Sequence, residues 1–264
     1  MFPVLFQFGG ITLHTYGALA AAGVLLALWV AQRQAPVRGL DSARVWNLGI
    51  YMVLAGIVGS KIWLLAEDWD YYREDFSRIF AVSTLQAAGV FYGGLLAALA
   101  VAYFYARRAG FGFLQLADVY AAPLALGHAI GRLGCFAAGC CWGQETQAAW
   151  AVRFSDPYAA SLVGVPLEVG LHPVQLYESA LNFLLFTILW RLSKSEAVSA
   201  PAGSIFAAYL MLYGCIRVTT EFFRGDPERT LLFGGAVSLM QAVSAVMIAA
   251  GLWIWMRRRQ IRTT

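Results

Sequence analysis

Residues 114–143 decide the fold: Leu114-Gln-Leu-Ala-Asp-Val-Tyr-Ala-Ala-Pro-Leu-Ala-Leu-Gly-His128-Ala-Ile-Gly131-Arg132-Leu-Gly134-Cys135-Phe136-Ala-Ala-Gly139-Cys140-Cys141-Trp142-Gly143. The first part, to Gly134, is an apolar run of membrane-crossing length, since about twenty helical residues at 1.5 Å each span a hydrocarbon core of roughly 30 Å. The last thirteen residues change character. They combine a guanidinium that hydrocarbon rejects with four glycines that allow close backbone approach, and they hold three of the chain's four cysteines. The stretch reads as a membrane helix that delivers the chain into a site.

Composition extends that reading to the whole chain. Hydrophobic residues make up 60% of 264 positions and charged residues 13%, with a mean hydropathy of +0.63. A soluble chain of this size carries about 25% charged residues. The expectation is an all-α polytopic membrane protein forming a single integral membrane domain over residues 1–264. The formal charge of +4 lies mostly at helix ends, so it does not argue for nucleic acid. Four cysteines without zinc-finger spacing give no disulfide framework, and the start lacks a basic n-region and a small-residue cleavage site, so no removed signal peptide is read.

Working outward gives about seven spans: Leu13–Trp29, Trp46–Ala66, Ala88–Ala106, Leu114–Gly134, Pro173–Leu192, Gly203–Phe223 and Phe233–Met256. The apolar segment Met1 to Ile11 precedes them as an interfacial piece. Residues 144–171 are too long for a turn and read as a small extracytoplasmic cap, joined by the charged loop 224–232. Loops after spans one, three, five and seven carry eleven Lys/Arg: Arg33, Arg38, Arg44, Arg107, Arg108, Arg191, Lys194, Arg257, Arg258, Arg259 and Arg262. The opposite loops carry five: Arg73, Arg78, Arg153, Arg224 and Arg229. The positive-inside rule then places the C-terminus in the cytoplasm and the N-terminus outside.

Lys61, Arg132 and Arg217 fall inside spans, near their outer ends. A charge at a helix centre costs about 2.5–3.5 kcal/mol on insertion scales, so such residues snorkel or face a partner or cavity. Arg217 has Glu221 one turn later on the same face. This reads either as an intramembrane ion pair that packs helices or, with Arg132 and Arg224 at the same depth, as a surplus of positive charge. Guanidinium forks match phosphate oxygens, so the surplus suits an anionic headgroup. Span five opens His172-Pro173-Val-Gln175-Leu-Tyr177-Glu178, a polar entry read as a capping and anchoring cluster or as part of the site. Tyr92-Gly93-Gly94 reads as a ligand-approached helix start or as membrane packing, and His14 and Tyr16 as aromatic-belt rings at the mouth of span one.

Together these motifs resemble the bacterial prolipoprotein diacylglyceryl transferases over nearly the whole chain. The resemblance rests on Leu13-His14-Thr-Tyr16-Gly17, Gly59-Ser-Lys61, Phe91-Tyr92-Gly93-Gly94, Gly131-Arg132-Leu-Gly134-x-Phe136-x-x-Gly139, and His172-Pro-x-Gln175-Leu-Tyr-Glu178. It is carried further by Tyr213-Gly-x-x-Arg217-x-x-x-Glu221-Phe-Phe-Arg224 and Ser238-x-x-Gln241-x-x-Ser244. It implies transfer of the diacylglyceryl group of phosphatidylglycerol to the lipobox cysteine thiol of a preprolipoprotein signal peptide, at the outer face of the bacterial cytoplasmic (inner) membrane. It also implies catalytic roles for Arg132, Arg217, Glu221 and Tyr92. Substrate contacts follow for Tyr16, Lys61, Gly93, Gly94, Gly134, Cys135, Gly139, Cys140, His172, Gln175, Glu178 and Arg224. The substrate's cysteine is the nucleophile, and neither cofactor nor metal is called for.

The chain departs from that pattern at four positions. Tyr92 stands where the family has His, Cys135 and Ala138 where it has Asn, and Cys140 where it has Glu. A phenol with reference pKa near 10 is a poor base at neutral pH, which leaves His14, His128, His172 or an arginine-activated thiol as alternatives. The cysteines read as small hydrophobes in a packed helix end, as a disulfide, or as a soft-metal site with His128 or His172. A repurposed homologue built on such a thiol site, or a non-catalytic anionic-lipid-binding membrane protein, is the alternative to the transferase.

Overall fold

Seven helices of 18 or more residues run through the computed structural model, which describes residues 2–8, 11–81, 84, 89–195, 200–227 and 229–263, without the side chains of 11, 233 and 258–263. They are α1 (Thr15–Gln34), α2 (Ser42–Glu67), α4 (Phe91–Ala109), α5 (Phe113–Ala138), α7 (Val174–Ser195), α8 (Ser204–Glu221) and α9 (Leu239–Thr263). Two short helices, α3 (Trp69–Glu74) and α6 (Pro157–Val163), lie between them. Four of the long helices, α1, α2, α5 and α9, are by themselves long and apolar enough to cross a membrane. The expected start of the third span at Ala88, and the side chains of Arg258, Arg259 and Arg262, lie outside the described residues.

Helix α5 is the axis. It packs on α1, α7 and α8, while α2 pairs with α4 and α9 with α8. Its apolar window is 56% buried, against 11% for α2 and for α9. The peripheral helices turn Leu25, Trp29, Leu54, Ile57, Leu96, Phe104, Val246 and Trp253 outward. Polar groups, by contrast, are gathered inside: Asp118, Gln175, Glu178, Asn182, Arg217 and Glu221 are all buried. An apolar exterior around a polar centre suits a lipid solvent, which satisfies no backbone or charge.

Close backbone contact joins α2 to α4. A Cβ on Gly59 would stand 2.6 Å from Gly93 O, and one on Gly94 would stand 2.8 Å from Gly56 O. Small residues of this kind let membrane helices approach where dispersion is the main attraction. Four cations lie over an aromatic ring one turn earlier on their own helix: Arg33 on Trp29, Arg107 on Tyr103, Lys194 on Trp190 and Arg257 on Trp253. All four lie toward the C-terminal ends of the long helices that are first, third, fifth and seventh in chain order.

Several boundaries differ from the sequence reading. Helix α5 runs on to Ala138, past the expected end at Gly134, so Arg132 and Cys135 are helical. It ends where Gly139 takes a left-handed φ of 78°, with Gly139 N bonded to Phe136 O (3.3 Å) and Cys140 N to Cys135 O (3.2 Å). This two-bond closure of a helix end requires the left-handed conformation that glycine adopts without penalty. The seventh span does not begin at Phe233. Residues 233–238 form a 3-10 turn and a strand, and α9 starts at Leu239. Ser238 and Gln241 cap it reciprocally, Gln241 N to Ser238 Oγ (3.2 Å) and Ser238 N to Gln241 Oε1 (2.9 Å). Each side chain thus satisfies a backbone donor at the helix start.

The mostly helical fold also carries, among the described residues, three short antiparallel pairs: β1 (Val4–Phe8) with β2 (Ile11–His14), β3 (Val152–Arg153) with β4 (Gly170–Leu171), and β5 (Leu231–Leu232) with β6 (Val237–Ser238). The second pair belongs to the segment read as a cap. That segment supplies Phe154, Ala159, Val165 and Leu171 to a small core closed by Trp142 just before it.

Candidate active site

The site is built where α5, α7 and α8 meet. Arg132, in the last two turns of α5, pairs through Nε with Glu178 Oε2 of α7. The other oxygen of Glu178 takes Arg217 Nη1 of α8 at 2.7 Å and Thr220 Oγ1 at 3.1 Å. Arg217 then reaches Glu221 Oε2 through Nη2 (2.8 Å), and Glu221 Oε1 receives Arg229 Nε (3.1 Å) from the loop after α8. Five charged side chains form one chain of contacts, and the side chains of Glu178 and Glu221 are 2% and 1% exposed.

The charge count of this network decides its character. Three guanidiniums meet two carboxylates, leaving one positive charge unmatched among the described residues. Arg224 does not add to the surplus, because Asp226 takes both its Nε and Nη2. The four most buried members, Arg132, Glu178, Arg217 and Glu221, balance one another, and the excess sits on Arg229, 23% exposed on the loop after α8, at the open edge of the network where an anion can meet it.

Neighbouring groups hold the charged ones in place. Arg132 Nε also donates to His128 Nε2 (3.3 Å), one turn earlier, and the His128 ring lies 5.3 Å from that of Tyr213. Asn182 Nδ2 donates to Glu178 O, and Ser179 Oγ to Ala129 O, tying α7 to itself and to α5. Gln175 Nε2 donates to Cys140 O at 2.7 Å, which fastens the turn after α5 to the start of α7. His172 Nδ1 and Trp150 Nε1 both meet the Tyr177 hydroxyl (3.1 and 2.7 Å), and Gly225 N bonds to Trp142 O, bringing the cap and the post-α8 loop together over the site.

At the end of α5 the sulfur of Cys135, in its last turn, and those of Cys140 and Cys141, just past it, lie within 4.8 Å of one another. Arg132 Nη1 stands 4.0 Å from Cys135 Sγ. Tyr16 lies against this corner: a Cβ on Gly134 would meet the Tyr16 ring and backbone at 3.2–3.3 Å.

Of the residues singled out in the sequence, Arg132, Glu178, Arg217 and Glu221 meet directly. Tyr16, Gly134, Cys135, Gly139, Cys140, His172, Gln175 and Arg224 stand around them. Tyr92, Gly93 and Gly94 belong to the α2–α4 pair instead. Tyr92 is 37% exposed, with its ring against Phe91, and the two glycines face Gly59 and Gly56. Lys61, also on that pair, donates to Thr84 O at 2.8 Å. Sequence reasoning missed Thr220, Asn182 and the inward reach of Arg229. His128 carried a legible signal, lying four residues before Arg132 and hence on its face.

An apolar helical shell around a buried guanidinium–carboxylate network defines a multi-pass membrane protein with a polar interior site. Within that class the chain belongs to the prolipoprotein diacylglyceryl transferase family, whose sequence profile matches residues 3–257. It is 31% identical over 257 residues to the phosphatidylglycerol–prolipoprotein diacylglyceryl transferase of Clostridium tetani, covering 97% of each chain. It is 34% identical to that of Parasynechococcus marenigrum, covering 98% of this chain and 95% of the other, and 35% identical to that of Vibrio vulnificus, covering 95% and 89%.

Proposed function

We propose that this protein transfers the diacylglyceryl group of phosphatidylglycerol to the lipobox cysteine of preprolipoproteins, releasing glycerol-1-phosphate. The observation that carries the reading is the single surplus positive charge of the Arg132–Glu178–Arg217–Glu221–Arg229 network. A phosphodiester headgroup brings one negative charge and two free oxygens, the complement of that surplus. Seven spans, an outer-facing site and the bacterial cytoplasmic membrane complete the reading, with the cap and the 224–232 loop outside.

In the reaction a C–S bond forms at the glyceryl carbon and the C–O bond to phosphate breaks. The electron pair leaves on the phosphate oxygen, and the thiol proton balances the second ionisation of the departing phosphate, whose pKa is about 6. Arg132 and Arg217 hold the phosphate and take up the charge that develops on it, a form of catalysis that needs donors fixed in advance. Glu178 fixes both arginines at once, Glu221 fixes Arg217, and Arg229 closes the arrangement from the loop. Tyr16 flanks the headgroup position. The nucleophile is the substrate's own sulfur, because a thioether formed on an enzyme cysteine would have no leaving group to pass it on.

The test is to incubate detergent-purified protein with phosphatidylglycerol and a lipobox peptide and to read peptide mass. A diacylglyceryl increment, absent with Arg217→Ala, is expected. No increment with correctly folded protein refutes the proposal.

A further inference from the structure

The proposed transfer takes its nucleophile from the substrate and asks no thiol of the enzyme, yet the backbone is arranged to assemble a corner of three. The left-handed Gly139 reverses the chain so that Cys140 and Cys141 return over Cys135. Cys141 itself sits at φ 59°, one of two non-glycine residues with positive φ among the described residues. A side chain in that region costs of order 1 kcal/mol or more, and such residues gather at ligand-binding positions. Cys135 is buried and the other two are partly open, so the corner is closed behind and accessible in front.

We infer that Cys135, Cys140 and Cys141 form a site for a soft d10 cation, Cu(I) or Zn(II), whose occupancy shuts the transfer site. Three thiolates about 2.3 Å from a central ion stand roughly 4 Å from one another, close to the spacing within 4.8 Å seen here. Thiolate sets of this kind favour Cu(I) and Zn(II) over harder ions. A tris-thiolate complex carries a net charge of −1 with Zn(II) and −2 with Cu(I). That charge forms 4.0 Å or so from the Arg132 guanidinium, measured to Cys135 Sγ. It cancels the positive surplus that receives the headgroup, so the metal and the phosphate compete for the same guanidinium without sharing a site. This coupling rests on the phosphate-binding reading above; the metal site itself does not.

The experiment uses reduced, full-length protein in detergent, titrated anaerobically with Cd(II) for its thiolate charge-transfer absorption and with Zn(II) for stoichiometry by elemental analysis. One ion per chain is expected. Uptake should persist in Cys215→Ser, whose exposed sulfur lies on α8, and be lost in Cys141→Ser. No absorption in the wild type, or equal uptake by Cys141→Ser, overturns the site. Saturating Zn(II) should lower peptide lipidation about tenfold, within the usual range of coupling between two ligands, and a chelator should restore it. By reciprocity, phosphatidylglycerol should weaken Cd(II) binding by the same factor. Metal uptake without inhibition overturns the coupling. Protein inactive even when metal-free, yet taking up Cd(II), refutes the transferase reading and leaves the site standing.

Discussion

Helix α5 carries an arginine–carboxylate contact at each end, and the two are built to opposite ends. Near its start, Asp118 is fully buried and receives Gly203 N and Phe206 N at 2.8 Å each, with Arg38 Nη1 at 3.5 Å. Gly203 offers no side chain to cap α8, so Asp118 supplies that cap from a neighbouring helix, where an acid also complements the helix dipole. Arg38 Nη1 reaches Ala200 O as well. One cation meets one acid, and both acid oxygens are spent on backbone. Fourteen residues further along, about 21 Å by helical rise, Arg132 enters a network where cations outnumber acids. Burial and residue type do not separate the two ends; the charge balance and the partners do.

The comparison can be broken most sharply at its functional end. Arg217→Ala should lower turnover about a thousandfold per folded molecule, the scale expected when a preset charge-stabilising donor is removed. Peptide mass measured against detergent-folded protein checks this, and Arg38→Ala should keep its turnover once folded. Next in size, Asp118→Ala should cost about 3–5 kcal/mol of stability, as when one partner of a buried pair is lost. Thermal melting in detergent reads it, with turnover of the folded fraction unchanged. A loss of turnover without a melting shift would reverse the roles assigned to the two ends.

Smaller effects sharpen the picture. Arg229→Ala removes the outermost cation and the surplus with it, so headgroup binding should weaken about tenfold, or roughly 1.4 kcal/mol; the shift should show in KM for phosphatidylglycerol. Ser238→Ala breaks the capping pair at the start of α9 and should cost about 1 kcal/mol without touching turnover.

Both ends of α5 differ in how far the sequence reveals them. The Arg217–Glu221 pair is legible because a spacing of four is local geometry. The Glu178 bridge is not, because it exists only once α5, α7 and α8 are packed, and nothing in the local pattern of residues 172–178 separates a capping cluster from a bridging acid. Asp118 is illegible for the same reason: its partners lie at Gly203 and Phe206. The helical spans are legible because lipid demands long apolar runs, whereas the start of α9 is misread because Phe233 to Val237 is apolar without being helical. The Tyr92-Gly93-Gly94 stretch belongs to motif and packing alike, and the structure sets its glycines against α2.

The bridging position of Glu178 also bears on how the chain is made. Synthesis and insertion run from the N-terminus, so α5 is in place with Arg132 before Glu178 is added, and α8 with Arg217 follows later. At no stage does the acid of α7 enter hydrocarbon without a cation already waiting for it. The Gln175–Cys140 bond closes the loop between α5 and α7 in the same interval, so the cap core of Trp142, Phe154 and Leu171 can be complete before α8 exists. The order of residues along the chain thus doubles as an order of neutralisation: Glu178 answers Arg132, Glu221 answers Arg217, and the surplus charge arrives last, with Arg229.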